Sequence, residues 1–245
     1  MINCSFLIIS NQDYYDYAGK VVQSIYDAIK RYPIQYTYEV LLYSPNKPPY
    51  DYGDIWIKDE LNKPGHSVYG YNKMFEYSSG EYIFVLNDDH ILPYPNSFVN
   101  NFQDKNEPLK VIEFLKSDIF KNRKFKVTSI AAGSNVHVYG STCIPSLAFP
   151  PPYPLSEELK NPKYTLVPHR HLIMGYPVYE RKTVINELCG YIFNPSFKHK
   201  YADNWLHFFL GESGESVEIC KETSVQIIDH NIAHSTMDTA KQDYY

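Results

Sequence analysis

Apolar residues run without a break from Cys4 to Ile9 and stop at Ser10 and Asn11. Such a run predicts a strand covered on both faces. Val21, Ile25, Ala28, Ile29 and Tyr32 then recur at helical spacing until Pro33 ends the pattern. Tyr38 to Tyr43 is predicted as a second strand, followed by the turn-rich Ser44-Pro-Asn-Lys-Pro-Pro, and Asp54 to Ile57 as a short third. Ser67 to Ser79 places Val68, Tyr71, Met74 and Phe75 on one helical face, with Gly80 as its expected C-cap. A further strand, Tyr82 to Leu86, runs directly into Asn87, Asp88, Asp89 and His90. Strand and helix alternate throughout this first half, which argues for an α/β fold with a mainly parallel sheet.

Beyond residue 95 the alternation loosens. Residues 97 to 124 are expected to be mainly helical, and Phe125 to Ala132 a strand ending at Gly133. Phe149-Pro-Pro-Pro-Tyr-Pro154 is a stiff, extended connection, read as a loop because the hydrophobic pattern resumes after it. Thr183 to Leu188 and Asp203 to Leu210 are predicted as short helices, and Val225 to Ile228 as a last strand leading to Asp229, His230 and His234. No internal repeat is present. One domain over residues 1–235 follows, with a ligand-binding half over about 1–95, a second half over about 96–235, and a polar tail at 236–245.

Composition narrows the function classes. With 245 residues, 44% of them hydrophobic, the chain can bury a sizeable core. A formal net charge of −5 gives no basic field to draw nucleic acid or an anionic membrane. The 24 tyrosines suit stacking on bases and sugar faces as well as ordinary packing. Cys4, Cys143, Cys189 and Cys220 are scattered and form neither a zinc framework nor a disulfide scaffold. The amino-terminal apolar run lacks a basic region and a cleavage motif and is too short to span a bilayer, so a cytoplasmic protein without a transmembrane segment is expected.

The chemistry concentrates at the end of the strand Tyr82 to Leu86. Open α/β sheets bind ligands at the carboxyl ends of their strands. Asp88 and Asp89 there form a candidate seat for Mg²⁺ or Mn²⁺, with the His90 imidazole leaning the choice toward Mn²⁺, and such a cation would hold a diphosphate. Paired aspartates also make ordinary turns after strands.

Three segments together resemble one family. Asn62-Lys-Pro-Gly-His-Ser-Val-Tyr-Gly-Tyr-Asn72 followed by Gly80-Glu-Tyr-Ile-Phe-Val-Leu-Asn-Asp-Asp89 is similar to the central signature of family 2 glycosyltransferases of the GT-A fold. Glu187-Leu-Cys-Gly-Tyr-Ile-Phe193, with Tyr201-Ala-Asp-Asn-Trp205 and Gly211, resembles the family's acceptor-side region, and His234-Ser235 its terminal histidine. The resemblance implies a metal-dependent inverting enzyme that moves a sugar from a nucleotide-sugar, with UDP as the expected nucleotide, to a hydroxyl of a glycan or glycoconjugate. It implies donor contacts at Ser10, Asn11, Asn62, Asn72 and Asp88, and a Mn²⁺ or Mg²⁺ ligand at Asp89 in a DXD-like motif. His234 would contact metal or diphosphate, with His230 or His90 as alternatives. Asp203 would be the base that takes the proton from the acceptor hydroxyl. Each position has a bland counterpart: a polar strand end for Ser10 and Asn11, a turn or cap for Asn62, Asn72 and Asp203, and a structural histidine for His234.

The chain departs from the family at three points. Ala202 stands where a Glu usually precedes the base, the metal motif reads Asn87-Asp-Asp-His90 rather than three acids, and Tyr71 replaces a basic residue. Arg170, Arg181 or Lys182 could supply cationic help instead. The loss of Glu keeps alive a second reading, a catalytically degenerate domain that binds a sugar or partner without turnover. A sugar nucleotidyltransferase ranks lower, because Ser10-Asn-Gln-Asp-Tyr-Tyr15 lacks the glycines and cations that hold a triphosphate. No Gly-x-Gly-x-x-Gly follows the first strand, which removes a dinucleotide-dependent oxidoreductase.

Overall fold

The computed structural model describes residues 3–10, 15–31, 36–49, 53–61, 66–88, 90–92, 109–133, 138–139, 176–198, 202–213 and 219–227. Its strands are β1 (Cys4–Ile9), β2 (Tyr38–Ser44), β3 (Ile55–Lys58), β4 (Tyr82–Asn87), β5 (His90–Ile91), β6 (Val127–Gly133), β7 (Val138–Tyr139), β8 (Pro177–Glu180) and β9 (Ile219–Ile227). The helices are α1 (Tyr15–Arg31), α2 (Ser67–Tyr77), α3 (Lys110–Lys116), α4 (Arg181–Glu187) and α5 (Ala202–Glu212).

The described strands form one sheet in the order β3-β2-β1-β4-β8-β6-β9-β5, with β7 paired to β6. β3, β2, β1 and β4 are parallel to one another. β8 enters antiparallel between β4 and β6, and β9 returns parallel to β6. The α/β architecture with a mixed, mainly parallel first half is therefore as the hydrophobic pattern predicts.

Continuous apolar strands belong where both faces are covered, and the core confirms it residue by residue. Along β1, Cys4, Phe6 and Ile8 join one cluster with Ala18, Val21, Ile25 and Ala28 of α1. Leu7 between them faces the other cluster, with Val68, Tyr71, Met74 and Phe75 of α2 and Leu206 and Leu210 of α5. β4 divides the same way, with Tyr82, Phe84 and Leu86 on the first face and Ile83 and Val85 on the second. Phe6 and Phe84 stack across the sheet with ring centroids 4.6 Å apart, tying β1 to β4.

Several expectations need correction. α2 ends at Tyr77, and its C-cap is Ser78 in extended backbone rather than Gly80. Gly80 is instead required by close approach, since a Cβ there would lie 2.5 Å from the Ser5 nitrogen and 2.6 Å from the Cys4 carbonyl carbon. Within 109–124 only Lys110–Lys116 is α-helical, the remainder being turns from Ser117 on. The last strand is longer than its apolar core suggests, Ile219–Ile227. β8 and the short β5 and β7 carry too few residues for a period to register. The Pro-rich segment 149–154, Asp229 and the tail lie outside the described residues.

Candidate functional site

Strand order fixes where a ligand can enter. From β1 the chain moves to β2 and β3 on one side, then crosses back to place β4 on the other side of β1. The reversal leaves a crevice at the carboxyl ends of β1 and β4, the switch point of an open α/β sheet. Register puts Ile9 opposite Asn87, so Ser10 and Asp88 are the first residues past the paired ends of the two strands.

Ser10 is buried, and its N–H donates to the Tyr43 carbonyl at 3.0 Å, extending the ladder beyond β1. Asp88 is half-buried in the turn after β4. That turn is held from two sides. The Asn87 N–H donates to His90 Nδ1 at 3.0 Å, with the buried His90 ring edge-on to Tyr176. From α2, the buried Tyr71 hydroxyl bonds to the Leu86 carbonyl at 2.9 Å and to Asn87 Oδ1. His90, a candidate metal neighbour, thus has Nδ1 engaged as an acceptor within the turn.

On the β2 and β3 side the edge is closed by internal bonds. Tyr43 Oη donates to Asp59 at 2.8 Å, Trp56 Nε1 to Ser44 Oγ at 3.0 Å, and Ser44 Oγ to the Asn46 carbonyl at 2.7 Å. Burial, with the Asp59 hydrogen bond adding to it, raises the Tyr43 phenol well above its ordinary value, so it stays a donor.

The second half reaches this edge through α2. Asn72, beside Tyr71, is buried, and its carboxamide is engaged with one residue. Nδ2 donates one N–H to the Phe193 carbonyl at 2.9 Å and Oδ1 accepts the Phe193 N–H with one lone pair at 3.1 Å. The Tyr71 and Phe193 rings meet at 5.8 Å, and the Val68 N–H in the first turn of α2 donates to the Lys198 carbonyl at 3.1 Å. α5 starts shortly after Lys198, with Ala202 buried in the core and Asp203 in its first turn, half-buried, where a negative charge suits the helix dipole. Tyr179 donates to the Ile192 carbonyl at 2.8 Å. Burial pushes its phenol well up, and the Asp203 charge pushes it further.

Of the residues expected at the site, Ser10 and Asp88 lie at the switch point, Asn72 bonds the Phe193 backbone from α2, and Asp203 stands in the first turn of α5. Asn11, Asn62, Asp89, His230, His234 and Arg170 lie outside the described residues. Arg181 is a correction: it sits at the opposite end of β4, where its guanidinium donates to the Gly80 carbonyl and Ser78 Oγ, too far along the strand to meet a diphosphate at the switch point. Lys182 is exposed on α4. Tyr71 is legible as a member of the apolar face of α2 and as a substitution for a basic residue; its hydroxyl's partner on β4 has no sequence signal. Among the described residues no group of three His, Cys, Asp or Glu side chains is placed to hold a metal ion. Asp88 is the described carboxylate at the switch point. Among the described residues no helix is long and apolar enough to cross a membrane.

No family model matches the chain, and no curated protein matches it in sequence. Solved structures do match its fold. Staphylococcus aureus TarS 1–349 in complex with UDP-GlcNAc is 11% identical with a TM-score of 0.55, over 96% of this chain and 61% of that one. TarS 1–349 in complex with UDP is 12% identical with a TM-score of 0.54, over 92% and 60%. The mannosyltransferase PcManGT from Pyrobaculum calidifontis in complex with GDP-Man and Mn²⁺ is 10% identical with a TM-score of 0.53, over 95% and 58%. The chain spans about three fifths of the length of these proteins. Its fold is that of GT-A-like glycosyltransferases.

Proposed function

We propose that the protein is a glycosyltransferase that transfers a sugar from a nucleotide-sugar, with a UDP-sugar as the first donor to test, to a hydroxyl of a glycan or glycoconjugate. The observation that carries this reading is Asp88 in a braced turn at the β1/β4 switch point of a GT-A-like sheet. The family 2 resemblance of the sequence supports it independently of the fold.

In this reading Ser10 and Asp88 receive the nucleotide and donor sugar, with Asn11 and Asn62 beside them. Asp203 takes the proton from the acceptor hydroxyl as that oxygen attacks the anomeric carbon from the face opposite the leaving diphosphate. It stands in the first turn of a helix, where the dipole favours a negative charge. Asp89, with His234, would hold Mn²⁺ or Mg²⁺, which when bound neutralises the charge that develops on the departing diphosphate.

One observation favours a second reading, a binding module without turnover. Ala202, where the resemblance expects a Glu, is packed into the core and offers the base no carboxylate neighbour. Thermal unfolding with UDP, GDP and their sugars, each with Mn²⁺, Mg²⁺ or EDTA, separates the two. A ligand at a hundred times its Kd adds about 2.7 kcal/mol. Stabilisation by a nucleoside diphosphate with release of diphosphate from its sugar supports the enzyme. Stabilisation without release supports the binding module, and flat curves across the panel remove both.

A further inference from the structure

We infer that Tyr71 and Asn72 of α2 are a paired positioning device that sets the donor turn and the base-bearing segment against each other, and that Asn72 is not itself a donor contact. This rests on the proposed function. The two residues are adjacent on one helix and reach in different directions. Tyr71 bonds through its hydroxyl to Leu86 and Asn87, the last residues of β4 before Asp88. Asn72 clasps both backbone groups of Phe193 in a two-point bond across 121 residues of sequence.

The aromatic contact between Tyr71 and Phe193 closes the loop between the two attachments, and the bond from Val68 to Lys198 fixes the far end of the same segment. The segment so held runs from Tyr191 to Lys198 and leads into α5, where Asp203 stands. Both side chains are buried, and α2 is packed rigidly against the sheet through Val68, Met74 and Phe75. A short, rigid helix carrying both clasps transmits the position of one to the other with little loss. The asparagine is buried and its amide plane is set by a donated and an accepted bond to one backbone residue. A ligand that turned the amide toward itself would break both of them inside the core, at the cost of buried unsatisfied groups. The basic residue that the family resemblance expects at position 71 would reach for phosphate; a tyrosine there reaches the strand that presents Asp88.

The experiment measures UDP and GDP binding by calorimetry, and nucleoside diphosphate release from the corresponding nucleotide-sugars, for the unaltered chain and three variants. Tyr71→Phe keeps the ring and removes only the hydroxyl's bonds to Leu86 and Asn87; its nucleotide Kd rises about tenfold, the scale on which supporting residues act. Asn72→Ala keeps its nucleotide Kd within twofold while kcat falls about a hundredfold, as expected when a base is misplaced by about an ångström. Asn72→Ser, a milder change, covers the case in which the alanine variant does not fold and gives the same split. Weakened nucleotide binding in the Asn72 variants would make Asn72 a donor contact and overturn the inference, as would a Tyr71→Phe variant that binds and turns over normally. An unaltered chain that binds neither nucleotide overturns the proposed function, and the inference falls with it.

Discussion

The two ends of β4 use polar residues for opposite purposes. At its amino end, buried Glu39 accepts the Ser5 hydroxyl at 2.6 Å, the Gly80 N–H at 3.2 Å, and both the backbone and hydroxyl of Ser79. Arg181 covers the same corner, its guanidinium donating to Ser78 and Gly80 and lying 4.6 Å over the Phe75 ring. Burial lowers the Arg181 pKa and the nearby Glu39 charge opposes that shift, so the two charges offset one another's desolvation. The groups there bond to one another. At the carboxyl end, Tyr71 and His90 brace the backbone while Asp88 stands half-exposed at the crevice. One strand therefore carries a polar cluster that holds the sheet together and, six residues of strand away, one that braces the turn bearing Asp88.

The sharpest way to break this contrast is to strike each end and read both stability and activity. On the proposed function, Asp203→Asn lowers transfer by roughly 10²- to 10⁴-fold with unchanged nucleotide affinity and melting temperature; retained activity would remove Asp203 as the base. Glu39→Ala leaves the Ser5 and Ser79 donors without their acceptor, with the Gly80 N–H keeping Ser5 Oγ, and costs about 3 kcal/mol in urea unfolding, while the folded fraction binds nucleotide as before. Should nucleotide affinity fall in step, the two ends are coupled and the contrast fails. Gly80→Ala forces a Cβ against the β1 backbone and costs about 1–3 kcal/mol, again with no change in ligand affinity.

The smallest effect is a pH dependence. Burial raises the Cys4 thiol from 9.0 to about 12, and raises the Tyr26, Tyr36, Tyr38, Tyr43, Tyr82 and Tyr179 phenols above 10.0. The unfolded chain releases these protons first, so their contribution is complete below pH 9 and declines as pH climbs from there through the folded-state values. Denaturant midpoints from pH 7 to 11 should fall only above about pH 9, and iodoacetamide at pH 8 should label exposed Cys189 while sparing buried Cys4. A midpoint that drops between pH 7 and 8 would point to groups other than these.

What the sequence discloses follows from the range over which each feature is decided. β1 is read to the residue because both of its faces are apolar and a polar pair ends it. The position of Asp88 is equally legible, since a strand followed by acids implies a carboxyl-end site once the sheet is parallel. Gly80 is misread because a glycine after a helix is usually a cap, whereas its cause is the β1 backbone 75 residues earlier. Asn72 shows the same limit: an asparagine fits a ligand contact and a backbone clasp equally well, and only the fold brings Phe193 within reach. β8 carries four residues and no period, and its place beside β4 depends on pairing across the whole second half.

That placement of β8 bears on how the molecule is made. The bond from Arg181 to Gly80 joins residues 101 positions apart, so during synthesis β1 to β4 can pair long before their neighbour exists. Through that interval the β4 edge, with Tyr82, Ile83, Phe84, Val85 and Leu86, stands open to any passing strand. Long-range pairing of this kind is slow to form. The chain's most vulnerable moment is thus the wait for one four-residue strand, and a holding chaperone or a cool expression temperature should raise soluble yield more than any change at the crevice.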